Sequence, residues 1–185
     1  FDDDAAHHMA LLAMEQYGRM LAGLQSGLRP AATRAEITRA RRAGMAAVWM
    51  PTRMVLADRG IAATWDITSD SLAAWLTGQF TAARLVLVKS VALSESSVRA
   101  TALARLGIVD PAFPDYFARS GSEGWCAADA DHAAMSAALT GAADASVRGC
   151  SLRSVSKTTR RPAKDSPSPS PSSARITVVR DGASG

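Results

Sequence analysis

WDITSDSLAAWLTGQFTAARLVLVKS, from Trp65 to Ser90, is the stretch that decides how the 185-residue chain is read. It ends in Leu85-Val86-Leu87-Val88, an unbroken aliphatic run typical of a strand covered on both faces, which points to a parallel central strand over Arg84–Val88. Before it, Leu72, Ala73, Trp75, Leu76 and Phe80 are placed to form a helix, and Ser69 or Asp70 is suited to cap it. Before that, Ala63–Thr68 is expected to form a short strand. The order is then β-α-β, with a right-handed crossover if the two strands share a sheet. An α/β fold with a mainly parallel sheet follows.

Towards the N-terminus, Asp2, Asp3 and Asp4 supply a cap and first-turn acids for a long helix. Its apolar positions Met9, Leu12, Met14, Tyr17, Leu21 and Leu24 run up to Gly27. Pro30 is expected to end that segment. Thr33 with Glu36 three residues on has the capping-box spacing and predicts a second helix through Arg42, closed by Gly44. Met45–Met50 is short and apolar and stops at Pro51, which predicts a buried strand.

Towards the C-terminus, a helix is expected from Ser94 to Leu106 with Gly107 as its C-cap, and a shorter one from Pro111 to Phe117. Ser120–Gly124 reads as a turn and Trp125 as the entry to a short strand. Asp129 or Asp131 would cap a last helix through Leu139 that stops at Gly141. From Ser146 the composition shifts to Ser, Pro, Arg and Lys, including the run Ser166-Pro167-Ser168-Pro169-Ser170-Pro171. Such a segment buries too little apolar surface to offset its chain entropy, so residues 1–145 are expected to fold as one domain and 146–185 to be a disordered tail.

The net charge of +4 is unevenly spread: residues 151–185 carry seven basic and two acidic side chains, leaving fourteen basic and fifteen acidic in the rest. A body with no basic excess lacks the cationic field that counterion release requires, so no nucleic-acid partner is expected for the folded part. Cys126 and Cys150 form no CxxC pattern and have no histidine at zinc-ligand spacing, which supports neither a metal site nor a disulfide framework and fits a reducing cytoplasm. No apolar run approaches the roughly 20 residues a bilayer span needs. No membrane partner is expected.

The strongest local candidate for chemistry is Thr68-Ser69-Asp70-Ser71, where the expected strand meets its helix. Ligands in open α/β sheets gather at the carboxyl ends of strands, and free N–H groups at a helix start favour phosphate. A carboxylate there can orient a lysine or hold Mg²⁺. Simple capping by Ser69 or Asp70 explains the same residues. Lys89, directly after the aliphatic strand, should emerge at the same edge, unless its stem merely covers apolar surface. His7 and His8 invite a metal or acid–base reading, yet the only other histidine is His132, and all three read as surface or packing residues. Trp65, Trp75 and Trp125 read as core or pocket walls, and Arg39, Arg41 and Arg42 as a solvated helix face.

These residues carry a resemblance. Trp65-Asp66-Ile67-Thr68-Ser69-Asp70-Ser71-Leu72-Ala73-Ala74-Trp75-Leu76 followed by Leu85-Val86-Leu87-Val88-Lys89-Ser90 resembles the aspartokinase-like, uridylate-kinase-like branch of the amino acid kinase superfamily. Within it the chain looks most like the kinases of aminomethyl-furanmethanol phosphate in methanofuran biosynthesis. Ala5–Met14 and Gly107-Ile108-Val109-Asp110-Pro111-Ala112-Phe113 resemble the same group, so the likeness covers roughly residues 1–140.

The resemblance implies a carbamate-kinase-like three-layer α/β/α fold and an ATP- and Mg²⁺-dependent phosphotransferase acting on a small metabolite, with homo-oligomers a possible form. It assigns Asp70 to orienting cations around the transferring phosphoryl group, and Thr68, Ser69, Lys89 and Ser90 to the nucleotide pocket. Members of the superfamily also carry a Lys-x-Gly-Gly-Ser strand and a second glycine-rich loop, and this sequence contains neither. Those parts are expected upstream of Phe1, and the chain by itself is expected to be inactive. The alternative expectation is a non-catalytic remnant or regulatory subunit of such a kinase.

Overall fold

A computed structural model describes residues 2–80, 82, 84–91, 97–128, 133, 136 and 150–153. The architecture is mixed α/β with mainly parallel pairing, in two compact units, Phe1–Leu72 and Ala73–Gly185.

The first unit opens with α1 (Asp3–Leu24), where Asp2 Oδ1 accepts from the Ala5 N–H at 2.8 Å and satisfies one of the orphan donors of the first turn. Then come β1 (Leu28–Ala31), α2 (Arg34–Arg42), β2 (Ala46–Trp49) and α3 (Thr52–Ala57). Strands β1 and β2 pair in parallel from Leu28↔Ala46 to Ala31↔Trp49, so β1-α2-β2 is a crossover unit. The expectation that Pro30 merely ends a segment is corrected: Pro30 lies inside β1. The carbonyls of Gly27 and Ala31 accept from Ala46 and Met50, so odd positions of β1 face β2 and the missing Pro30 N–H falls on the outer side of the pair.

Helix α2 is fixed at both ends. Thr33 Oγ1 accepts from the Glu36 N–H at 3.2 Å, and Glu36 Oε2 accepts from the Ala32 N–H at 2.7 Å. At the other end Gly44 takes φ 71°, with Met45 N–H bonded to the Ala40 carbonyl and Gly44 N–H to that of Arg41. Leu11 of α1, Ala31, Ile37 and Ala40 of α2, Val48, Met50 and Val55 form the buried interior of the unit. Glu15 Oε1 of α1 accepts from the Thr52 N–H at 3.0 Å and so satisfies a donor at the start of α3.

In the second unit, β3 (Arg84–Lys89), β4 (Ser97–Arg99), β5 (Glu123–Ala128) and β6 (Cys150–Arg153) form a sheet in the order β3-β5-β6-β4. Pairing is parallel for β3/β5 and β4/β6 and antiparallel for β5/β6. Leu85, Val86 and Leu87 are buried as the aliphatic run predicts, yet β3 stands at the edge of the described sheet rather than at its centre. An all-apolar strand reports that both faces are covered; it does not report lateral position.

Helices α5 (Ala100–Arg105) and α6 (Phe113–Ser120) pack together. Phe113 stacks on Phe117 with centroids 5.4 Å apart. The helix expected from Ser94 is shorter than read, because Ser97–Arg99 is strand β4. Gly107 closes α5 as expected, with φ 66°. The expected tail also needs correction: Cys150–Arg153 is strand β6, with Leu152 buried. The rest of 146–185, and most of the helix expected through Leu139, lie outside the described residues.

Candidate functional site

Residues 63–68 form turns and bends rather than the expected strand. The Asp66 N–H bonds to Thr64 Oγ1 at 3.3 Å and the Ile67 N–H to the Thr64 carbonyl at 3.2 Å. These local bonds compete with a strand ladder, as short hydroxyl and carboxylate side chains commonly do. The parallel neighbour of β3 is therefore β5, and the β-α-β step read across Trp65–Ser90 is corrected to loop-α-β. With it goes the reason for expecting Asp70 and Lys89 side by side on adjacent strands.

The helix itself forms as α4 (Ser69–Gln79), across the division between the two units. The Thr68 carbonyl accepts from the Leu72 N–H at 3.0 Å, which gives Thr68 the cap position and moves Ser69, Asp70 and Ser71 into the first turn. Thr68 and Ser69 are half-buried. Asp70 is 5% exposed and Ser71 fully buried, although neither is an apolar side chain. A carboxylate in the first turn gains from the positive end of the helix dipole, and a buried one must be held by donors or cations. All four residues take part in further interactions.

Lys89 ends β3, half-buried and opposite Ala128 of β5, and Ser90 follows it, exposed. Both strands run in parallel, so Lys89 and Ala128 mark the carboxyl ends of the β3/β5 pair, the edge at which ligands gather in such sheets. Trp65 is 72% exposed and is no wall of the core; Trp75 and Trp125 are half-buried.

Asp110 is the buried acid that sequence reasoning did not single out. It lies between the Gly107 turn and α6, is 7% exposed, and its carbonyl accepts from the Phe113 N–H. The available signal was a carboxylate set between Val109 and Pro111 in an apolar stretch. Thr77, also buried, is spent structurally, its hydroxyl donating to the Ala73 carbonyl at 2.6 Å. A shallow depression of about 450 Å³ on α2 is lined by Arg34, Ala35, Thr38, Arg39 and Arg42, and none of the site residues read from the sequence lines it. Its exposed Arg39 and Arg42, with Arg41, accord with a solvated face.

Among the described residues no group of three or more His, Cys, Asp or Glu side chains is arranged to hold a metal ion. Among the same residues no helix is long and apolar enough to cross a membrane. No protein-family model matches the chain, and a search of the curated proteins gives no match.

Proposed function

We propose that the chain is the nucleotide-side portion of an ATP-dependent phosphotransferase of the amino acid kinase type, in a three-layer α/β/α arrangement. Its acceptor would be a small metabolite of C1-carrier metabolism of the methanofuran type, and its setting the cytoplasm. The observation that carries the reading is Lys89-Ser90 at the carboxyl end of a buried strand paired in parallel with its neighbour. An ammonium at such an edge is placed to neutralise phosphate, while phosphoryl transfer demands chiefly positioning and charge compensation. Burial of Asp70 in the first turn of α4 is the second support, since a carboxylate kept there at a desolvation cost is suited to fixing a cation. ATP with Mg²⁺ is the cofactor pair this chemistry uses. A second reading is a nucleotide-binding remnant or regulatory subunit without turnover.

Calorimetric titration of the chain with Mg²⁺ and a non-hydrolysable ATP analogue tests both. Saturable binding is expected, weakened about tenfold or more in Lys89→Met, the loss anticipated for one charge-assisted contact of roughly 1.5–3 kcal/mol. Binding here, with no phosphate transfer from ATP to the furan phosphate after the coding sequence upstream of Phe1 is joined to the chain, selects the regulatory reading. Absence of binding, or binding indifferent to Lys89, rejects the nucleotide role of this edge. Association of copies also belongs to the proposal and would use the outer face of α1.

A further inference from the structure

The two cysteines stand twenty-four positions apart in the sequence, and nothing in their spacing joins them. The sheet does. In the antiparallel β5/β6 pairing, Gly124 stands opposite Leu152, Trp125 opposite Ser151 and Cys126 opposite Cys150. Directly opposite positions of an antiparallel ladder share one face, with Cα atoms about 4.5 or 5.5 Å apart according to the bonding pattern. That spacing lies inside the range of about 4.4–6.8 Å over which a disulfide closes. Gly124, Cys126 and Leu152 of this pairing are buried.

We infer that Cys126 and Cys150 are a redox-reactive pair, a site of cross-strand disulfide formation driven by a low-molecular-weight disulfide such as oxidised glutathione. One cysteine thiolate attacks a sulfur of the oxidant, forming a mixed disulfide and releasing one thiol. The thiolate of the other cysteine then attacks the protein-side sulfur of that mixed disulfide and releases the second thiol. The two cysteines lose two electrons and two protons, and both leave on the two released thiols. The product ties β6 to β5, and β6 is the strand through which β4 joins the sheet.

The full chain, equilibrated in graded mixtures of reduced and oxidised glutathione, then acid-quenched and alkylated, provides the test. It is run in native buffer and in concentrated urea. The cross-linked form is lighter by two hydrogens and takes up no alkylating reagent, and with only two cysteines in the sequence an intramolecular disulfide can join no other residues. The expected result is an effective concentration of the pair at least about tenfold higher in native buffer than in urea, because strand pairing holds the two positions opposite each other. Equal or lower values in native buffer overturn the inference. So does persistence of glutathione-capped chains without ring closure, or cross-linking only between chains. Cys150→Ser must abolish the mass loss, and its survival in that variant would overturn the inference too.

Discussion

Glu36 couples its ionisation to the start of α2. The Ala32 N–H, donating at 2.7 Å, holds its carboxyl below the usual glutamate range, with further help from Thr33 and Arg53. A folded-state value below the unfolded one means that the unfolded chain binds the proton more readily. The stabilisation is therefore complete above the ordinary glutamate value of about 4.3 and is lost as the pH falls through the depressed one. Urea midpoints of wild type and Glu36→Gln should differ at neutral pH and converge on acidification through that window. A gap of constant size from pH 7 downward would show that the charge is not what Ala32 selects. This acid was legible in the sequence because capping depends on neighbours three residues apart. Asp70 was legible only in part: its place near a helix start could be read, but its burial depends on chain remote in sequence, and the cap fell on Thr68 instead.

At the scale of elements, helices and their ends were the readable part. α1, α2, α4 and the glycine stops at Gly44 and Gly107 follow from caps and periodicity within a few residues. Strands were read where an apolar run announced them, as in β2 and β3, read short at β5, which begins at Glu123 inside the stretch read as a turn, and missed where pairing rather than composition makes them. β1 contains a proline, and β6 sits in a segment whose composition resembles its polar surroundings. The strand expected at 63–68 failed for the converse reason, since local bonds around Thr64 satisfied its backbone. Pairing also sets a limit on Gly124. A Cβ added there would fall 2.7 Å from Leu152 Cβ and still closer to the ring of Phe117, both of them buried. Gly124→Ala is therefore expected to cost about 1–3 kcal/mol, the range for overpacking a filled core. The checking measurement is a lower urea midpoint with an unchanged slope. An unaltered midpoint would mean that α6 and β6 do not close on β5 at this position.

For the molecule as a whole, class was readable and arrangement was not. An Ala-rich chain with one aliphatic strand signature had to be α/β, whereas strand order emerges from long-range pairing that no window of sequence contains. The same holds for its surface. α1 buries Leu11 and Gly18 on one side, while on the other Met9, Leu12, Tyr17, Met20 and Leu24 stand 59, 45, 42, 52 and 72% exposed. These five recur along a stripe with no charged residue within it, and together they leave on the order of 500 Å² of apolar surface open. Two copies apposed about a twofold axis would remove about 1,000 Å² from water, near the lower bound for a specific interface. A second copy suits the stripe because a self-complementary, uncharged face raises no like-charge penalty against itself. Sedimentation velocity should accordingly show a concentration-dependent shift from one copy to two, and Leu12→Glu combined with Met20→Glu should hold the chain as a single copy, since it would bury four unpaired carboxylates in the pair. Both positions lie half open to solvent, so the double variant should keep the helical circular-dichroism signal of the wild type. A wild-type chain that sediments as one copy at every concentration, or a double variant that still pairs, would remove α1 as the contact.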